Sequence, residues 1–185
     1  MFARTPRLLL RPGFPEDAPA LAGAIADEAI ARNLANVPWP YRMRDAEAFL
    51  ASPRHPALPS CLVFEIGAGA PQLAGACGLG RRPSGAVELG YWLARPFWGR
   101  GLATEACTAL IAIARALGLE RIEGSHFLDN PASGRVLEKL GFEPTGLIAA
   151  RLSCARGAEV PARLMRLVLK ATDCAGEDEG EALAA

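Results

Sequence analysis

The 185-residue chain has no surplus of charge, no long apolar run and no paired-cysteine motif. Its 20 basic residues meet 20 acidic ones, for a formal net charge of +0. That excludes a nucleic-acid partner gripped by a broad basic face, although a local basic patch remains compatible. Hydrophobic residues make up 51% of the chain. No uninterrupted stretch approaches the ~20 residues of a membrane span, so no membrane partner is expected. The opening segment, MFARTPRLLLRPGF, is broken by Arg and Pro too early for a secretory signal. Cys61, Cys77, Cys107, Cys154 and Cys174 are odd in number and contain no CxxC pair. With His55 and His126 as the only histidines, close neighbours assemble no metal set. Scattered single cysteines read as reduced packing residues in a cytoplasmic protein. Internal repeats are absent as well, and nothing in the sequence speaks to oligomeric state.

The length suits one domain with a real core. A short apolar run at 7–11 precedes a proline and predicts a first strand. Residues 15–34 carry Glu16 and Asp17 in their first turn and apolar residues at helical spacing, which predicts one long helix. Two prolines bracket Trp39, so 36–41 is irregular. A second helix is expected over 45–51. The period then changes, and 61–67, 72–80 and 86–93 read as three strands of an antiparallel meander. Helical spacing returns over 102–117, with Leu102, Ala106, Leu110, Ile113 and Leu117 on one stripe and Gly118 as its stop. A strand at 121–127 leads to a helix over 129–141, punctuated by Asn130 at the cap, Pro131 in the first turn and Gly141 after the end. Strands at 145–154 and 160–169 form a closing hairpin. The acidic, small-residue segment 171–185 is expected to be disordered. The helix between the fourth and fifth predicted strands makes that pair parallel in an otherwise mostly antiparallel sheet.

One stretch raises a chemical question. In WGRGLATEA (98–106) two glycines flank an arginine where a helix begins. The first-turn N–H groups of a helix point outward, and the helix dipole favours negative charge there. Glycine lets an anion reach the main chain with no Cβ in the way. The stretch lacks the Lys-Ser/Thr of a nucleotide-triphosphate loop and the third glycine of GxGxxG. By itself it reads more readily as a tight turn with no ligand.

Together with its context the stretch resembles the GNAT acetyltransferase superfamily. The matching segments are TPRLLLRPGFPEDAPAL (5–21), ELGYWLARPFWGRGLATEA (88–106) and DNPASGRVLEKLGFEPTG (129–146). NLANVPWPY (33–41) and ARGAEVPARLMRL (155–167) are similar to the branch that holds ribosomal-protein N-terminal (alanine) acetyltransferases. The resemblance implies an α+β fold over residues 1–170: a mostly antiparallel twisted sheet, splayed between its fourth and fifth strands, with helices on both faces. It implies acetyl-CoA as acetyl donor, with no metal. Its pyrophosphate loop, Arg/Gln-x-x-Gly-x-Gly/Ala, aligns with Trp98, Gly99, Arg100, Gly101, Leu102 and Ala103. The first position departs from the broad pattern by being Trp. Main-chain N–H groups from Gly99 to Thr104 are then expected to hold the pyrophosphate, with Arg100 adding charge.

Acetyl transfer from a thioester to an amine needs a route for the amine proton, a donor to the oxyanion and help for the leaving thiolate. The resemblance implies direct attack in a ternary complex. Glu88 is the candidate base, with a strand ion pair as the alternative reading, and alternation sets it on one face with Gly90 and Trp92. Glu65, Glu123 and His126 are the other positions to consider. Ser133 is the candidate acid or thiol-orienting hydroxyl, with a plain helix-start serine as the alternative. The tyrosine that many relatives carry four residues further on is Leu137 in this chain. Asn130 is expected at the pantetheine arm or as a helix cap, and the oxyanion donor is a main-chain N–H at Trp92 or Leu93. Trp39 and Tyr41 are candidate acceptor-lining residues. The favoured acceptor is a protein or peptide N-terminal α-amine. A small-molecule amine is the enzyme alternative, and a non-catalytic coenzyme A sensor is the alternative of another class.

Overall fold

The strand pattern of the sequence closes into one eight-stranded sheet in a computed structural model that describes residues 2–53, 55 and 57–169. The segment 171–185, with Cys174, lies outside the described residues. The strands are β1 (Ala3–Arg4), β2 (Leu8–Arg11), β3 (Ser60–Glu65), β4 (Gln72–Arg81), β5 (Val87–Leu93), β6 (Arg121–Phe127), β7 (Glu143–Ser153) and β8 (Ala158–Val168). Their spatial order is β1-β2-β3-β4-β5-β6-β8-β7. Every neighbouring pair is antiparallel except β5 and β6. A helix connects those two, and a helical crossover returns the chain in the same direction. Among the described residues their register holds only Glu88 opposite Glu123. Beyond that pair the strands part, and the gap between them positions the site.

Among the described residues five helices cover the sheet: α1 (Ala18–Ile25), α2 (Glu28–Ala31), α3 (Met43–Ala51), α4 (Leu102–Ala116) and α5 (Pro131–Lys139). Period-two alternation sends β3 side chains to two cores. Cys61 and Val63 join the larger cluster under α4, while Leu62 and Phe64 join the smaller one under α1 and α3. Asp17 is buried, where its carboxylate accepts two hydrogen bonds from Arg11 at 2.7 Å and one from the Phe14 N–H at 2.8 Å. This pairing anchors the chain as it leaves β2.

Two readings of the sequence change. The single helix expected over 15–34 is a 3-10 turn followed by α1 and α2. Asp27 divides it: its extended backbone ends α1, and its carboxylate caps α2 by accepting from Ala29 N–H at 2.8 Å. Arg95 holds that carboxylate from the β5–α4 connection at 2.6 Å. The buried face of α4 keeps Leu102, Ala106 and Leu110 of the expected stripe and departs from it toward the helix end. Cys107, Ile111 and Ala114 are buried, whereas Leu117 is exposed. Gly118 and Gly141 follow α4 and α5 with φ of 72° and 86°, the left-handed conformation of a helix stop. The segment before β2 adds the short strand β1, which pairs Ala3 with Leu10.

Candidate active site

A cavity of about 600 Å³ opens where β5 and β6 diverge. The end of β5, the starts of α4 and α5, and α2 with the residues after it form its walls. Of the residues singled out from sequence, Trp92, Leu93, Trp98, Gly99, Gly101, Leu102, Ala103, Thr104, Asn130 and Ser133 line it together.

The α4 wall is a turn of bare backbone. Gly99 and Gly101 have φ of 71° and 76°, conformations that L side chains resist. A Cβ on Gly99 would meet nothing within 4 Å, and one on Gly101 only the Arg7 guanidinium at 3.7 Å. Gly101 occupies the N-cap position and no side chain caps the helix. The first main-chain bond of α4 runs from Glu105 N–H to Gly101 O at 3.1 Å. The preceding N–H groups of Leu102, Ala103 and Thr104 therefore lack helical acceptors. Such a turn fits a pyrophosphate sterically and electrostatically.

Behind this turn sits a carboxylate that would spoil it if unpaired. Glu105 lies in the first turn of α4. It accepts from the Thr5 hydroxyl at 2.5 Å, the Arg7 N–H at 3.0 Å and the Arg7 guanidinium at 2.6 Å. Burial alone would raise its carboxyl, but Thr5 and Arg7 outweigh burial and hold it below the ordinary glutamate range. A second arm of Arg7 donates to Arg100 O at 3.0 Å. Arg7 thus neutralises Glu105 and ties the glycine turn to the start of β2.

The α5 wall is closed. Asn130 caps the helix by accepting from Ser133 N–H at 3.3 Å, and Pro131 follows it. The Tyr91 hydroxyl reaches across from β5 to this same serine, 2.7 Å from its Oγ and 3.1 Å from its carbonyl oxygen. Burial raises the Tyr91 phenol well above its ordinary value, partly offset by Ser133, so it stays protonated and can donate. Sequence reasoning missed Tyr91. The family resemblance directs attention to position 137, and the partner of Tyr91 is 42 residues away in the chain.

Strand geometry separates the two candidate oxyanion donors. Ala94 N–H bonds to Ala74 O beside β4 at 2.8 Å, and successive N–H groups of a strand point to opposite edges. The N–H of Trp92 therefore faces β4, and that of Leu93 faces the gap. Leu93 O accepts from the Trp98 indole N–H at 2.6 Å, which fixes the ring at the cavity wall. At the other end of the cavity, Arg156 from the β7–β8 turn donates to Asp129 at 2.7 Å and to Arg32 O at 2.7 Å, while stacking over Phe127. This clasp joins the turn to the segment after α2.

Four sequence candidates do not line the cavity. The Arg100 guanidinium turns away to Glu65, at 3.1 Å for one of its two bonds, and stacks toward Phe97, so only its backbone belongs to the turn. Glu88 is paired with Arg82 and accepts from the Ser125 hydroxyl at 2.8 Å, beside the last register pair before the gap. Tyr41 packs on the smaller core, where burial and then Asp45 push its phenol up to about 12. Trp39 is 38% exposed. Of the remaining positions, Glu65 is taken by Arg100, and the His126 ring lies against Gly134, where any Cβ would stand 2.8 Å from its Nε2.

Residues 7–143 match the family model described as an acetyltransferase (GNAT) domain. The chain is 39% identical over 63 residues to the uncharacterized N-acetyltransferase YoaA of Bacillus subtilis (strain 168), a stretch covering 34% of this chain and 36% of YoaA. The match thus spans about a third of that relative's length. Among solved structures, it is similar to RimL, a ribosomal L7/L12 α-N-protein acetyltransferase in complex with coenzyme A, at a TM-score of 0.76 and 18% identity over 92% of this chain and 99% of that one. A further similar structure is MccE, a microcin C7 self-immunity acetyltransferase in complex with acetyl-CoA and AMP, at a TM-score of 0.74 and 17% identity over 89% of this chain and 93% of the other. At these identities the structural likeness speaks to the fold.

Proposed function

Since the chain belongs to the acetyltransferase (GNAT) family, we propose that it transfers the acetyl group of acetyl-CoA to a primary amine, with residues 1–170 as its catalytic domain. The observation that carries this reading is the pairing, in one cavity, of an uncapped helix start on a glycine turn with a hydroxyl pair at a second helix start. The turn from Gly99 to Thr104 takes the pyrophosphate, and Asn130 borders the pantetheine arm. The amine attacks the thioester carbonyl directly. A C–N bond forms, the C–S bond breaks, and the sulfur keeps the electron pair. Leu93 N–H stabilises the oxyanion, and Ser133 assists the departing sulfur.

Glu88 takes the amine proton through water in this scheme, from the face it shares with Trp92. Its bonds to Arg82 and Ser125 favour a second role, as a strut joining the β4–β5 connection to β6. Glu88→Gln separates the two. A base predicts a fall in kcat of about 10²-fold or more and a changed acidic limb of the pH–rate profile. A strut predicts a lower melting temperature with both kinetic features kept.

We favour a protein or peptide N-terminal α-amine as acceptor, with Trp39 and Tyr41 near its approach. The likeness to RimL supports this, as does the sequence resemblance to the ribosomal-protein branch. The likeness to MccE supports the small-amine alternative. The setting we infer is cytoplasmic, in keeping with the reduced thiols at Cys77, Cys107 and Cys154. Incubating the protein with acetyl-CoA and a panel of peptides and small amines, while following thiol release, tests the reading. Amine-dependent release identifies the acceptor class. Tight acetyl-CoA binding without release across the panel would favour the sensor alternative.

A further inference from the structure

The Tyr91–Ser133 contact admits two proton arrangements on one set of heavy atoms. Each hydroxyl carries one proton. If Tyr91 donates to the Ser133 carbonyl, 3.1 Å away, the serine can donate back to the Tyr91 oxygen at 2.7 Å. The serine proton is then committed to Tyr91. If Tyr91 donates to Ser133 Oγ instead, the serine proton is released to point elsewhere. The other polar groups at Ser133 are already engaged: its N–H by Asn130, and its carbonyl within the helix. Both residues line the cavity.

We propose that Tyr91 is a positioning residue which, by donating to Ser133 Oγ, aims the serine O–H at the sulfur of the departing thiolate. The proposal rests on the acetyltransferase reading above and goes beyond it in assigning a role to Tyr91. No proton changes owner between the two hydroxyls. A coenzyme thiol, an alkyl thiol, is a far stronger acid than serine or a buried tyrosine. The thiolate therefore leaves as an anion held by a hydrogen bond and takes its proton from solvent. The amine proton leaves by the separate route through water.

Tyr91 suits this task for structural reasons. It stands on β5, while Ser133 belongs to α5, which follows β6. Their contact spans the gap on which the cavity depends. The ring packs against the larger core, so the hydroxyl is delivered by a rigid element. Phenylalanine would keep that packing and remove only the donor.

Single-turnover acetyl transfer by the full chain tests the proposal, using wild type, Tyr91→Phe, Ser133→Ala and the double variant. Each is assayed with acetyl-CoA and with an acetyl thioester of a more acidic thiol. On acetyl-CoA, Tyr91→Phe is expected to lose about tenfold in rate at nearly unchanged affinity, comparable to the loss of one buried hydrogen bond. The double variant should be no slower than Ser133→Ala. On the acidic-thiol donor both deficits should shrink to about twofold, because a good leaving group needs less help. A merely structural tyrosine would slow both donors alike. Equal deficits on the two donors, or multiplicative losses in the double variant, overturn the proposal while leaving the acetyltransferase reading intact. No transfer by wild type to any amine overturns that reading and this one with it. Incorporation of 3-fluorotyrosine at position 91 supplies a second variant that keeps the hydroxyl and strengthens it as a donor. It should retain or raise the rate on acetyl-CoA, and a tenfold loss there would also overturn the assignment.

Discussion

Two helices begin at the same cavity, and they begin in opposite ways. The start of α5 is satisfied from within: Asn130 caps Ser133 N–H, Pro131 needs no partner, and Tyr91 engages the serine. The start of α4 has Gly101 where a capping side chain would stand. A helix end within a folded protein needs some partner for its first N–H groups. At α5 the chain supplies that partner. At α4 it supplies only shape, two left-handed glycines and a carboxylate neutralised from behind. The contrast separates holding from reacting. In the proposed reaction one start would receive the anion, and the other would order hydroxyls for chemistry.

The sharpest way to break the contrast is to fill the open start. Ala103→Glu places a carboxylate in the first turn of α4, where the helix dipole favours it, and in the cavity, where a pyrophosphate would meet it. Acetyl-CoA affinity by calorimetry should fall at least tenfold, about 1.4 kcal/mol, while the melting temperature holds or rises. Unchanged affinity would remove the glycine turn as the anion site. This variant reads more cleanly than a substitution at Gly101, whose φ of 76° would add backbone strain.

The converse is to open the closed start. Asn130→Ala should cost about 1 kcal/mol of stability in denaturant titration, the usual worth of a cap. It should also slow turnover more than it weakens acetyl-CoA binding, because it loosens the turn that carries Ser133. A variant as stable as wild type would mean that the cap contributes nothing.

A smaller effect is expected from Arg7→Gln, which leaves Glu105 without its cation. Arg7 is nearly half exposed, at 47%, so the change should raise the KM for acetyl-CoA only about two- to fivefold, more at low salt than at high. A KM independent of Arg7 would show that Glu105 does not reach the anion electrostatically.

The smallest difference concerns acid. Hydrogen bonding from Arg156 holds Asp129 below its ordinary value, while Thr5 and Arg7 overcome burial to do the same for Glu105. A depressed native value gives stability that is present above the unfolded value and lost as pH falls through the folded one. Melting temperature should therefore hold at pH 5–7 and decline below about pH 4. Glu105 is 16% exposed and Asp129 48%, so Arg7→Gln should flatten that decline more than Arg156→Gln does. Equal flattening would remove the distinction between the two helix starts.

Much of this was legible in the sequence because it depended on neighbours in the chain. The meander, α4, α5 and the closing hairpin follow from local periodicity and from Gly118, Gly141, Asn130 and Pro131. The glycine turn was legible for the same reason: its two glycines and the helix start after them are consecutive residues. The break at Asp27 was not, because 15–34 keeps helical spacing across it and Arg95 is 68 residues away. Arg100 was assigned to the phosphate on proximity, and only its pairing with Glu65 of β3 shows the side chain turned aside.

The chain by itself determined where helices and strands begin, which turn is bare, and that Ser133 starts a helix, since each depends on steric and hydrogen-bonding preferences over a few residues. Tertiary structure alone decided which groups face one another. The parting of β5 from β6 turns Leu93 N–H rather than that of Trp92 to the gap, and Arg7 neutralises Glu105 across 98 residues. Tyr91 reaches Ser133 because a crossover helix separates their strands in sequence while the sheet brings them together in space. Hydrogen bonds and charge pairs depend on distance in three dimensions, and local propensity carries no record of that distance.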